Sequence, residues 1–320
     1  PKNLWTKNPE GSLIEIFEAL DENDEAEWIA SEIKNGNCKM ENDGAMAVLY
    51  RTNAQSRSLE QVLIGQQIPY QIFGGLKFYE RREIRDVIAA LRYILNGKDE
   101  ISRGRLEKLL GKRKFFEFNE AAMGLRNKKM PPLKLAEAFV ETANYLEYLE
   151  NNFIDHQERR ENISELLHFA SRFDDLAQML EEVALVQSAD APSAGTITMT
   201  NDNNKIHSYG HSYRHNDLPL VNLMTIHLAK GLEFDNIFIA GCSEGILPHA
   251  RSLENEYQLE EERRLMYVAM TRARKNLHIS FYDVPSRFIG EIPAELAEFR
   301  NSINNDRGIS ESYEEKFVGY

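Results

Sequence analysis

The sequence predicts an α/β protein in which a parallel sheet flanked by helices is interrupted by an all-helical block. Three observations predict it. Compact apolar runs alternate with helical periodicities up to about residue 96, strand signals then vanish to about residue 190, and the alternation resumes beyond residue 217. A pattern that stops and resumes is best explained as one sheet domain with an insertion. The expected division is 1–96 for the first part of the sheet domain and 97–216 for a helical insertion. The sheet domain's second part is expected at 217–300 and a C-terminal tail at 301–320.

Ser12 to Phe17 (SLIEIF) alternates apolar and polar residues, as a half-buried strand does, and Asp24 to Ile33 then follows helical spacing. Met46 to Tyr50 (MAVLY) is a short apolar run fitting a buried strand, Ser58 to Ile64 reads as a helix, and Tyr70 to Phe73 as a strand before Gly74-Gly75. Arg81 to Leu95 places Ile84, Ile88, Leu91 and Leu95 on one face, so the expectation is a helix packed on the sheet. In the middle third Leu106/Leu109/Leu110, Leu135/Phe139 and Ile163/Leu166/Leu167/Phe173 recur at helical spacing. Residues 188–219 are rich in Ser, Thr, Asn, Gly and His and read as a flexible loop or loose hairpin. Val221 to Ile226, Asn236 to Gly241 and Leu277 to Tyr282 read as strands, with a helix over Leu259 to Arg272.

The composition, 42% hydrophobic and 28% charged, is that of a soluble globular chain, and no apolar run approaches the ~18 residues of a membrane span. Pro1 to Glu10 has neither the apolar core nor the cleavage site of a signal peptide, so a cytoplasmic fragment is expected. Cys38 and Cys242 are far apart and lack CxxC spacing, which suggests neither a disulfide framework nor a cysteine zinc site. A net charge of -13 excludes a broadly basic nucleic-acid coat, because such affinity comes from neutralising phosphates. Any nucleic-acid site must therefore be local.

Three stretches carry chemistry. In VNLMTIHLAKGLEFDNIFI a strand ends in Thr225-Ile226-His227, turns through Ala229-Lys230-Gly231 and meets Glu233. Ligands of open α/β sheets sit beyond the carboxyl ends of strands, so Thr225, His227, Lys230 and Glu233 are placed where phosphates or a nucleotide could dock. A surface loop with a salt bridge fits the same spacing. EEERRLMYVAMTRARKN ends in Arg272, Arg274 and Lys275, and for the last two a favourable meeting with the helix dipole is sufficient explanation. YRTNAQSR follows a buried strand and offers Arg51, Asn53, Gln55 and Arg57 as donors suited to phosphate and sugar, although Asn53 could simply cap the next helix.

Together YRTNAQSR, IPYQIFGGLKFYERREIRD, TIHLAKGLEF, EGILPH and EEERRLMYVAMTRA resemble, in order, the second-half motifs of UvrD/PcrA/Rep helicases of superfamily 1. The resemblance is strong over 1–96 and 220–296. It implies the second RecA-like lobe of a two-lobed motor, with a 2B-type helical insertion, that closes on ATP and Mg2+ and walks 3' to 5' on single-stranded DNA. By that resemblance Arg272 is an arginine finger, Lys230 and Gly231 lie near the phosphates, and Glu233 contacts the ribose. Arg51, Asn53, Thr225, His227 and His249 then hold single-stranded DNA by sequence-neutral contacts.

The implied partners are single-stranded DNA and its junctions with duplex, the N-terminal lobe of the same protein, and repair or replication proteins, with no membrane. Two departures stand out. TRARKNLHISFYDVPSRF lacks the stretch that carries a base-stacking aromatic in the family, and Phe281 and Tyr282 sit in an apparent strand where core packing is the favoured role. The insertion lacks the glycine-containing duplex-contact motif, although RENISELL (Arg160 to Leu167) resembles its other recurrent helix.

GxxxxGK[ST] occurs nowhere in the chain, and the acidic run Asp21 to Glu25 reads as a solvated helix cap rather than a magnesium site. The resemblance assigns both missing parts to a first lobe, so the fragment alone is not expected to hydrolyse ATP. The alternative is a non-catalytic DNA- or partner-binding module. His207, His211 and His215 have a spacing that could gather zinc only on a helix, which Gly210 opposes, so no metal site is expected.

Overall fold

The computed structural model describes residues 11–35, 45–126, 129–189 and 218–302. Residues 190–217 of the expected loop over 188–219, its three histidines, Cys38 and most of the C-terminal tail lie outside them, while Ser188 and Ala189 are the last residues of a helix. The elements run β1 (Ile14–Glu18), α1 (Glu22–Lys34), β2 (Met46–Tyr50), α2 (Ser56–Gly65), β3 (Tyr70–Ile72) and α3 (Arg82–Leu95). Five further helices follow: α4 (Glu100–Arg126), α5 (Pro132–Thr142), α6 (Tyr145–Asn152), α7 (His156–Ala170) and α8 (Leu176–Ala189). The chain then returns to β4 (Val221–Thr225), β5 (Phe234–Ile239), α9 (Glu256–Met270), β6 (Ala273–Phe281) and β7 (Ala297–Asn301). Two compact units result, one of residues 1–51, 66–74 and 196–320, the other of 52–65 and 75–195.

The first unit is a seven-stranded sheet in the order β3-β4-β2-β5-β6-β1-β7. Every ladder in it is parallel. Such a sheet must be covered on both faces, which is why β2 has no exposed residue. Alternation along β1 sends successive side chains to opposite faces. Phe17 stacks on Trp28 of α1 at 4.4 Å, and Trp28 meets Phe238 edge-on at 5.8 Å. Ile16 instead joins Leu49, Ile239, Ile279, Met266 and Ala269, the last two from α9. The two helices thus lie on opposite faces.

The boundaries follow from capping. Asp21 Oδ1 accepts from Asn23 N at 2.8 Å and Asp24 N at 2.9 Å, which satisfies donors that the first turn of α1 leaves open. Asn255 does the same for α9 through Gln258 N at 3.1 Å. α9 stops at Met270, where Thr271 returns its hydroxyl to the Tyr267 and Val268 carbonyls at 3.0 Å each. β7 was not expected. Its five residues AEFRN pair with β1 at the sheet edge and are only half buried, so the apolar signal is thin.

The second unit is helical, with a core that includes Ile84, Leu91, Phe118, Phe139, Tyr145, Leu166 and Phe169. α4 is interrupted at Gly111, whose φ of 72° and ψ of 165° are not helical. α3, expected against the sheet, belongs to this core instead. Amphipathic spacing correctly says that the helix buries a face, but not against which partner.

The LKFYERREIRD motif also acts internally here. Arg81 donates to Asn162 Oδ1 at 2.9 Å and Ser56 Oγ at 2.7 Å, Glu83 meets Arg159 at 2.7 Å, and Asp86 accepts from Arg105 at 2.6 Å and Tyr145 at 2.7 Å. These buried polar groups specify how α3 seats on its neighbours, because each left unpaired would carry a desolvation penalty of about 1–3 kcal/mol. RENISELL lies within α7 and contributes Asn162 and Glu165 to that network, the latter bonded to Arg57 at 2.5 Å.

Candidate functional site

β2 and β4 end together, with Tyr50 opposite Thr225, so Arg51 and the chain after Thr225 leave the same carboxyl edge of the sheet. Arg51 meets Glu262 of α9 side-on: Nη2 lies 2.7 Å from Oε1, and Nε lies 3.2 Å from Oε1 and 3.0 Å from Oε2. Oε2 also accepts the backbone N–H of His249 at 3.2 Å, and Oε1 accepts Ser252 Oγ at 3.5 Å. Glu262 is only 6% exposed. Burial works to raise its pKa, but the hydrogen bonds and charge of Arg51 outweigh it and hold the carboxyl below its usual range.

His227 lies close enough to feel the same charges. Although much of its surface is exposed, burial of the remainder lowers its pKa, Arg51 lowers it further, and Glu262 and Glu261 act in the opposite sense. The net shift leaves it uncharged at neutral pH. Arg51, His227 and His249 are therefore gathered around one carboxylate.

A second cluster occupies the opposite edge. Between β4 and β5 the chain crosses the sheet in a tight turn, in which Leu228 N and Ala229 N donate to Thr225 O at 3.0 and 3.3 Å and Leu232 N donates to Ala229 O at 3.0 Å. Gly231 has φ of 87°, a left-handed conformation that a side chain would strain. Lys230 is exposed beside it.

Because β5 runs parallel to β4, Glu233 just before Phe234 is at the amino edge, not beyond the carboxyl ends as expected. Arg272, between α9 and β6, is there too, and its carbonyl accepts Phe234 N at 2.9 Å. Its guanidinium donates from Nε to Val268 O at 2.9 Å, from Nη1 to Leu232 O at 3.0 Å and from Nη2 to Thr271 Oγ1 at 3.0 Å. Arg272 is thus attached to both the end of α9 and the end of the crossing turn.

Two further expectations change. Arg274 and Lys275 are not at a helix end but on β6, where Arg274 pairs with Glu233 and Lys275 with Asp235, each at 3.0 Å. Asn53 is not the cap of the helix after β2. That position is Thr52, whose N–H donates to Gln55 Oε1 at 3.0 Å. Asn53 belongs to the helical unit, and its side chain donates to Glu158 at 2.6 Å. Phe281 is 1% exposed in the sheet core, as expected for a packing role. Among the described residues no group of three or more His, Cys, Asp or Glu is gathered for a metal.

Two carboxylates escaped the sequence reading. Glu25 is not part of a solvated cap: it is buried, accepts Gly241 N at 2.8 Å beyond the end of β5, and has its pKa raised by burial from 4.5 to about 7. Glu262 hides in the charge run EEERR. The available signal is periodicity, because Leu259, Glu262, Met266 and Ala269 fall on one stripe of α9, and a glutamate on an apolar stripe calls for a buried partner.

The model of the UvrD-like helicase C-terminal domain matches residues 1–130 and 128–283. ATP-dependent DNA helicase UvrD1 of Mycobacterium leprae is 34% identical across 95% of this chain and 47% of its own length. ATP-dependent DNA helicase PcrA of Staphylococcus aureus is 32% identical across 94% of this chain and 47% of its own length. The chain spans about half the length of these relatives. With an all-parallel RecA-like sheet and motifs in matching order along it, the chain belongs to the UvrD-like helicase C-terminal domain family.

Proposed function

We propose that this chain is the second half of an ATP-dependent 3' to 5' DNA helicase or translocase, contributing an arginine finger, part of the ATP site and part of the single-stranded DNA track. The observation that supports this reading is the sorting of the candidate residues to two edges of one sheet. Arg51, Thr225, His227 and His249 gather at the carboxyl edge, and Glu233 and Arg272 at the amino edge. A part that converts nucleotide state into movement on DNA needs two separate binding faces on one rigid body.

In this reading the chain would face a nucleotide whose Mg2+ is held by a first lobe. ATP supplies the driving free energy, and Mg2+ neutralises phosphate charge. Arg272 then stabilises developing negative charge, Lys230 lies toward the phosphates beside Gly231, and Glu233 exchanges its exposed ion pair with Arg274 for the ribose hydroxyls. Asn53 adds a DNA contact from the helical unit, whose larger part is the insertion assigned to 97–216. The fragment by itself supplies neither phosphate loop nor magnesium carboxylate and does not turn over ATP.

The test joins the chain to a first lobe bearing GxxxxGK[ST] and measures DNA-stimulated ATP hydrolysis. Arg272→Ala lowers kcat by about 10³- to 10⁵-fold with little change in DNA affinity. Unchanged turnover in Arg272→Ala, or robust hydrolysis by the chain alone, would sink the reading and leave a non-catalytic binding module in its place.

A further inference from the structure

Glu262 has no role in the reading above, yet it is the acceptor on which the carboxyl-edge cluster converges. Its two oxygens take Nε and Nη2 of Arg51, the backbone N–H of His249 and the hydroxyl of Ser252. These groups come from the end of β2 and from the segment between β5 and α9, which share no covalent neighbour.

A side-on carboxylate fixes the plane of a guanidinium as well as its position. The side chain of Arg51 remains 21% exposed while that of Glu262 is 7% exposed, so the arginine reaches the surface and its holder does not. An isolated surface arginine must surrender most of its rotamer freedom to hold a phosphate. Arg51 has surrendered it in advance.

We infer that Glu262 is a positioning residue that sets Arg51 and His249 in a single arrangement for the phosphates of single-stranded DNA. This rests on the proposed DNA role of Arg51. Glu262 itself, an acidic group 6% exposed, does not touch the strand. It acts by removing the ordering cost of the groups that do. A purely structural salt bridge would also tie β2 to α9, but it would act on stability alone and not on the number of phosphates engaged.

The experiment uses the whole chain and a fluorescein-labelled oligothymidylate of about 16 nucleotides, with anisotropy recorded over a range of salt concentrations. The proteins are the parent, Arg51→Ala, Glu262→Gln, Glu262→Asp and the double variant Arg51→Ala/Glu262→Gln, each checked by thermal melting and compared below its transition. Glu262→Gln is expected to weaken binding about 3- to 10-fold, as for freeing one ordered side chain. It should also reduce the slope of log K against log salt by about 0.7, as for one lost phosphate contact on a single strand. Glu262→Asp restores part of both.

In the Arg51→Ala background Glu262→Gln should add clearly less, only the share carried through His249, because the greater part of its action passes through Arg51. If the parent fails to bind, or Arg51→Ala matches it in affinity and salt slope, the DNA reading of Arg51 fails and takes the positioning role with it. If Arg51→Ala weakens binding while Glu262→Gln leaves it unchanged or strengthens it, the positioning role alone is overturned. An equal loss from Glu262→Gln with and without Arg51 overturns it in the same way.

Discussion

The two edges of the sheet are built on different electrostatic plans. At the carboxyl edge the candidate residues lean on buried carboxylates, Glu262 holding Arg51 and His249, and Glu25 receiving Gly241. At the amino edge the partners are backbone carbonyls for Arg272 and an exposed ion pair for Glu233, whose side chain is 54% exposed. Buried pairs are stiff, because removing either partner strands a charge. Exposed pairs are easily exchanged, being worth about 0–1 kcal/mol. One edge is thus preset and the other adjustable, the difference that the proposed DNA face and nucleotide face would call for.

The contrast can be broken in four places, taken from the largest expected effect to the smallest. Glu25 holds its proton to about pH 7 in the fold, against 4.5 for the unfolded chain. Its stabilising contribution is therefore fully present below 4.5 and lost as pH rises through about 7, a change of as much as about 3 kcal/mol. Glu25→Gln keeps the uncharged shape and the acceptor for Gly241. Urea midpoints should thus match the parent near about pH 4 and exceed it near about pH 8. Equal midpoints at both values would show that the carboxyl ionises freely.

Next, Glu262→Ala is expected to lower unfolding stability by about 2 kcal/mol, less than the roughly 3–5 kcal/mol of a fully buried pair because Arg51 keeps partial access to water. Third, Gly231→Ala meets no neighbour within 4 Å but must hold φ of 87°, at about 1 kcal/mol. Smallest is Glu233→Ala at the adjustable edge, where urea denaturation should register less than about 0.5 kcal/mol. A loss at Glu233 matching that at Glu262 would erase the distinction between the edges.

Much of the sheet was legible before the structure. MAVLY gave β2 with its observed bounds, because a short apolar run closed by polar residues leaves little freedom. The motifs identified the family through residues that are linear in sequence. What remained hidden depended on third-party contacts. The placement of Glu233 required knowing that β5 starts where β4 has already crossed the sheet, and TRARKN gave no sign that the helix ends at Met270 and the basic residues pass onto a strand. The seat of α3 and the burial of Glu25 and Glu262 are set by what packs against them, which a single pattern along the chain does not encode.

α9 runs from its cap at Asn255, past Glu262 at its middle, to Thr271 and Arg272, against the direction of the strands beneath it. Its fifteen residues span about 22 Å at 1.5 Å per residue, and a hydrogen-bonded helix of that length scarcely shortens under load. One helix therefore carries, near its C-terminal end, a contact to Arg272 and, at its middle, the carboxylate that holds Arg51 and the backbone of His249. The groups at the two edges of the sheet hang from a single rod of backbone hydrogen bonds.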